Sequence, residues 1–161
     1  LSTLHTNNAP GSVQRLINMG VSPTDIASSV NAFVAQRLVR TLCPECKKKT
    51  EPSPEMKTHI EKILQGISPK ANIDVPKEIG SIFEAVGCLK CNNIGYKGRT
   101  TVSEVLSMTK EMEELITKQP TTSEVEELAI AQGMITMPQD GILKVLEGIT
   151  TMDEVERVTE E

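Results

Sequence analysis

Four cysteines stand in two matched pairs, Cys43-Pro44-Glu45-Cys46 and Cys88-Leu89-Lys90-Cys91, and the chain has no others. Two residues between thiolates let both sulfurs reach one ion from a tight knuckle. Two knuckles complete a tetrahedral sulfur shell suited to Zn²⁺. Pro44 stiffens the first knuckle, and Lys47, Lys48, Lys49 and Lys90 can offset the negative charge of a Zn(Cys)4 centre. Four thiolates leave no open coordination position, so such an ion is structural rather than catalytic. It would close a loop of 41 residues, 47–87, which could hardly fold without it. Disulfides are a second reading, disfavoured in a reducing compartment. A thioredoxin-like redox pair is a third, and it expects one Cys-x-x-Cys at a helix start.

A second candidate is His5, in Leu1-Ser2-Thr3-Leu4-His5-Thr6-Asn7-Asn8-Ala9. A strand that runs into small polar residues ahead of a helix is where α/β folds place ligand-facing groups. A histidine there could donate to a phosphate oxygen or orient a water; it could equally be a plain surface residue. Third comes Gln36-Arg37-Leu38-Val39-Arg40. On a strand, Arg37 and Arg40 face opposite sides, and an inward arginine needs a carboxylate or a phosphate. No Gly-x-x-x-x-Gly-Lys-Ser/Thr loop occurs, nor Gly-x-Gly-x-x-Gly, His-Glu-x-x-His or an EF-hand pattern. His59 falls on a helical segment as an exposed residue.

These residues need elements to position them. Residues 1–8 read as a strand end and a loop. Val13, Leu16 and Ile17 mark a short helix that Gly20 stops. Ser22-Pro23-Thr24-Asp25 starts another. Alternation predicts a strand near 36–42. Ser53-Pro54 opens a helix bearing Met56, Ile60, Ile63 and Leu64, ended by Gly66; 67–78 reads as loop and 82–86 as a short strand. Gly95-Tyr96-Lys97-Gly98 reads as a turn before a strand at 99–106. Helices are expected at 110–118, 123–132, 138–147 and 151–158, with capping boxes at Ser123/Glu126 and Thr151/Glu154.

Composition excludes several classes. The chain has 161 residues, 38% hydrophobic and 24% charged, which is a globular composition. Its apolar runs are too short to span a bilayer. Phe33, Phe83 and Tyr96 are the only aromatic residues, too few for the stacking platforms of single-strand nucleic-acid binding. Charge is uneven: +5 over residues 1–99 and −10 over 100–161. The acidic end is a solvated helical face or a partner surface.

The segment Leu1–Ala9, Arg15-Leu16-Ile17-Asn18-Met19-Gly20, Ala35-Gln36-Arg37-Leu38-Val39-Arg40, the paired knuckles, Gly95-Tyr96-Lys97-Gly98-Arg99 and 140–151 occur in this order. Together they resemble the C-terminal portion of the type II secretion and type IV pilus assembly ATPases over nearly the whole chain. The resemblance implies a RecA-like P-loop ATPase as parent. The parent would form a homo-hexamer on the cytoplasmic face of the inner membrane, held there by partners. ATP and Mg²⁺ would be cofactors of the parent only. Its turnover would move a membrane platform protein and assemble pilin subunits. His5 falls on the family's histidine box, near the nucleotide γ-phosphate, as the catalytic candidate. Arg37, in the recurrent Gln-Arg-Leu segment with Gln36, is a nucleotide-associated candidate. Cys43, Cys46, Cys88 and Cys91 fall on the zinc site.

The expected fold is α+β, a fragment of an α/β RecA-like core with a tetracysteine zinc subdomain and a helical C-terminal subdomain. Residues 1–42 and 95–108 would belong to the core, 43–94 to the zinc subdomain and 109–161 to the helical subdomain. The spacer between knuckles is long for the family, which places an insertion at about 65–80. Without a P-loop, the fragment is expected not to hydrolyse ATP alone. The alternative is a non-enzymatic zinc-ribbon module for protein or nucleic acid, favoured by Lys47–Lys49; the net acidic chain speaks against nucleic acid.

Overall fold

A computed structural model describes residues 1–76 and 78–159. It is a mixed α+β structure, with seven α-helices and four strands among the described residues. The elements are α1 (Ala9–Asn18), α2 (Pro23–Ser29), β1 (Ala32–Leu42), β2 (Lys48–Thr50), α3 (Pro54–Gln65), β3 (Ile82–Glu84), β4 (Tyr96–Ser107), α4 (Lys110–Thr117), α5 (Thr122–Ala131), α6 (Met137–Leu146) and α7 (Met152–Thr159). β1 pairs with β4, and β2 with β3. The latter pair is antiparallel, with Lys48 opposite Glu84 and Thr50 opposite Ile82.

Local chemistry sets most helix ends. Asn8, Ser22, Ser53 and Thr109 each accept a hydrogen bond from a backbone N–H in the first turn of their helix. Pro10, Pro23 and Pro54 occupy first-turn positions, where a missing N–H costs nothing. The α5 cap is Thr121, not the expected Ser123. Its hydroxyl accepts from the Glu124 N–H while the Glu124 carboxylate takes the Thr121 N–H at 2.7 Å. The box expected at Thr151/Glu154 does not form, because both side chains are drawn to other partners described below.

Two further expectations change. Residues 1–8 form no strand. Tyr96–Gly98 lies inside β4 rather than in a turn, with Gly98 at φ +94°. β2 goes unseen in the sequence because three residues, Lys-Lys-Thr, are too short to show alternation.

The residues fall into two compact units, which interleave the segments drawn from the sequence. The first comprises Leu1–Gln36, Ser68–Asn72 and Glu104–Thr136. Its core gathers Val13, Ile26, Phe33, Leu106, Met112, Ile116 and Val125. The 68–72 segment, within the expected insertion, seats on Gly133: a Cβ there would stand 2.7 Å from the Lys70 carbonyl oxygen, at φ +107°. The second unit comprises Arg37–Ile67, Ile73–Ser103 and Met137–Glu161. Ile60, Leu64, Ile142 and Met152 make one cluster of its core, and Ile82, Val145 and Val155 another. Burying each such aliphatic side chain contributes roughly 1.5–3 kcal/mol. α6 meets α7 where Gly141 lies against Val155, with no room for a Cβ.

Candidate metal centre and histidine segment

The first knuckle follows directly from the end of β1 at Leu42. The Cys43 carbonyl accepts from the Cys46 and Lys47 N–H groups, which wraps the chain into a tight turn. The second knuckle is a short 3-10 turn, Leu89–Cys91, followed by Asn92 and Asn93 in the left-handed region. Asparagine tolerates that conformation better than other non-glycine residues. Gly87 and Gly95 bracket this turn with φ of +104° and +77°. A Cβ on Gly87 would meet the Asn93 carbonyl oxygen at 2.6 Å, and one on Gly95 the Ala85 Cβ at 2.6 Å. The Cys43 N–H donates to the Gly95 carbonyl at 2.9 Å and ties the knuckles together.

The sulfurs of Cys43, Cys46, Cys88 and Cys91 all lie within 4.8 Å of one another. Cys91 Sγ is 3.8 Å from Cys46 Sγ and 3.7 Å from Cys88 Sγ. These are not disulfides; all four cysteines are free thiols. A tetrahedron with metal–sulfur bonds of about 2.3 Å has edges of about 3.8 Å. The donor set therefore fits one small tetrahedral ion, and the four cysteines could hold a metal. Cys43 and Cys91 are buried, Cys46 and Cys88 half-buried.

The electrostatics of the cluster favour a cation. Burial pushes the Cys46 thiol up, and the neighbouring sulfurs of Cys88, Cys91 and Cys43 add to the rise. At Cys91 burial acts the same way, but N–H donors from Cys88 and Gly95, at 3.2 and 3.3 Å, outweigh it and bring the thiol down. A divalent ion placed among the four sulfurs would stabilise several thiolates at once. The expected lysine screen is partly committed elsewhere. Lys47 donates to the Gly148 carbonyl at 2.8 Å and lies over the Phe83 ring, and Lys90 pairs with Glu45 at 3.5 Å.

The arginine question has an answer at Arg40. Its guanidinium donates to Glu154 at 2.6 Å and stacks 4.2 Å from the Tyr96 ring centroid. Glu154 is 1% exposed and also receives Arg157. Tyr96 hydrogen-bonds Thr151, and Thr150 donates to the Arg40 carbonyl, each at 2.8 Å. This carboxylate partner is what the sequence reading missed. Glu154 lies 114 residues from Arg40, and α7 periodicity does not mark it as buried. Arg37 sits half-buried on β1 in the second unit.

His5 is exposed in the irregular segment before α1, in the first unit. The structure gathers the four cysteines into one site; His5 and Arg37 are not part of that cluster. No helix among the described residues is long and apolar enough to cross a membrane.

The family model described as "Type II/IV secretion system protein" matches residues 1–157. The chain is 39% identical over 160 residues to the type IV pilus assembly ATPase PilB of Myxococcus xanthus, covering 96% of this chain and 26% of that protein. It is 41% identical to the type II secretion system ATPase E of Vibrio cholerae, covering 100% of this chain and 29% of that protein. It is 40% identical to the type II secretion system protein E of Pseudomonas aeruginosa, covering 100% and 30%. The chain thus spans between a quarter and a third of the length of these relatives.

Proposed function

The chain belongs to the type II/IV secretion system protein family, and we propose that it is the C-terminal part of an ATPase that powers pilus or pseudopilus assembly and protein secretion. The observation that carries this reading is the continuous similarity to ATPases of both systems across the chain. On this reading the parent is a ring hexamer with a RecA-like core. It binds ATP and Mg²⁺ through a P-loop outside these residues and works at the inner membrane with platform and assembly proteins. The 161 residues alone do not turn ATP over, since they contain no P-loop sequence.

Within the chain, Cys43, Cys46, Cys88 and Cys91 hold zinc; when bound, zinc closes the intervening loop and leaves no position for substrate. The sulfur spacing near a tetrahedral edge supports that assignment. His5 faces the nucleotide γ-phosphate, and its exposure on an irregular segment leaves it accessible to such a ligand. Arg37 is the nucleotide-associated cation, because a guanidinium suits phosphate oxygens.

The test uses the full-length parent. Metal-dependent ATP turnover is expected, lost about 100-fold in His5→Ala with zinc content unchanged. A parent without ATP turnover would overturn the reading in favour of a zinc-ribbon binding module.

A further inference from the structure

Glu104 is a buried carboxylate on β4, 4% exposed, on the strand face it shares with the fully buried Val102 and Leu106. An ionised group at such a position is tolerated only where donors meet it. One donor is the Ala9 N–H, 2.6 Å from Glu104 Oε1. Ala9 is the first residue of α1, so its N–H has no partner within the helix. Pro10 lacks an N–H, and the Gly11 N–H goes to the Asn8 side chain at 2.8 Å. Glu104 and Asn8 between them therefore account for the open donors of the first turn. The carboxylate also lies where the helix dipole favours negative charge.

The segment that leads into this turn carries His5. Three residues separate His5 from Ala9, and the stretch between them is pinned twice more. The Thr6 hydroxyl is 2.8 Å from the Ser12 hydroxyl, and Ser12 is buried; Asn8 is held by its cap to Gly11. Asn8 Oδ1 would stand 2.7 Å from a Cβ on Gly11, so that cap needs the glycine. The approach to His5 is thus tied to α1, and the buried Glu104 carboxylate ties the first turn of α1 to β4.

We infer that Glu104 is a positioning residue for His5: by anchoring the first turn of α1 it fixes the direction from which the histidine presents itself to the nucleotide. This rests on the assignment of His5 to the γ-phosphate. Glu104 touches no substrate. It acts through the register of residues 5–9.

The experiment uses the full-length parent, with Glu104→Ala, Glu104→Gln, His5→Ala and the double variant Glu104→Ala/His5→Ala. Steady-state kcat and KM for ATP are read with hexamer assembly and zinc content. Glu104→Ala is expected to lower kcat about tenfold or more while KM stays within about twofold, as misplacement of a group acting in the transition state does. Glu104→Gln keeps an acceptor for the Ala9 N–H and should recover part of that loss. If the residues act as one unit, the double variant turns over as slowly as His5→Ala and no slower. Losses that multiply, or an unchanged kcat in Glu104→Ala, overturn the inference while leaving His5 in place. A His5→Ala enzyme of full activity overturns the nucleotide assignment, and the inference with it. Should Glu104→Ala fail to assemble, Glu104→Gln with and without His5→Ala carries the same comparison.

Discussion

Glu154 holds Arg40 twice: its Oε2 accepts the Arg40 backbone N–H at 2.8 Å and its Oε1 accepts the guanidinium at 2.6 Å. A carboxylate on α7 thereby occupies both the main chain and the side chain of one residue of β1. Arg157 closes the other side of the carboxylate, at 2.8 and 3.0 Å. Arg40 and Arg157 are about half exposed, so their charges remain solvated while the carboxylate is not.

Acid should loosen this contact. Burial pushes the Glu154 carboxyl up, but the hydrogen bonds from Arg157 and Arg40 outweigh burial and bring it down to about 2. A carboxyl lower in the folded than in the unfolded state stabilises the fold above its unfolded value, near 4.5, and that contribution disappears as pH falls toward 2. The shift corresponds to an order of magnitude of about 3 kcal/mol. Urea unfolding of the protein from pH 6 to pH 2 should show the loss, and Glu154→Gln should flatten the pH dependence. An unchanged slope in the variant would refute the assignment.

Zinc should bind at one ion per chain. Cys88→Ser removes one corner of the tetrahedron and should release the metal, leaving residues 43–91 open to protease. Elemental analysis and limited proteolysis measure both. Structural zinc sites of this kind contribute on the order of 10 kcal/mol of binding free energy to folding, so the chelator-treated protein should melt at a lower temperature.

Gly95 and Gly98 both adopt left-handed φ, +77° and +94°, but only Gly95 is crowded. Gly98→Ala should cost about 1–2 kcal/mol through backbone strain alone. Gly95→Ala adds collision with Ala85 beside the second knuckle and should cost more, with weaker zinc retention. Paired thermal melts and metal titrations compare them. Equal losses would deny the close approach its role.

Capping chemistry separates neighbouring hydroxyls. Thr121→Ala should destabilise by about 1 kcal/mol, because it removes the hydroxyl that accepts the Glu124 N–H and donates to the Glu124 carboxylate, leaving only the bond from the Thr121 backbone N–H. Ser123→Ala should change stability by only a few tenths of a kcal/mol, being past the cap. Chemical denaturation of the two variants reads the difference directly.

The two cysteine knuckles were visible in the sequence because their spacing is itself the chemistry: the ligands of one pair lie within a single turn. Helix starts at Ser22, Ser53 and Thr109 were visible for the same reason, since cap and capped N–H are three residues apart. The Thr151/Glu154 box satisfied the same local rule and still failed. Tyr96 took the Thr151 hydroxyl and Arg40 took the carboxylate, both arriving from distant chain, while Arg157, three residues on, took the rest of it. Lys47 likewise looked like a charge for the sulfur cluster until Gly148 and Phe83 claimed it.

By itself the sequence determined the four-sulfur donor set, the succession of capped helices and the family. Each is written in residues close together in the chain or in an ordered set of short motifs. Only the tertiary structure decided which distant donors each buried carboxylate would meet. Glu104 meets Ala9 across 95 residues and Glu154 meets Arg40 across 114. It also decided that α4 and α5 join the first unit while α6 and α7 join the second. A buried carboxylate is stabilised by donors that folding brings to it, and its own neighbours in sequence carry no mark of where those donors will come from.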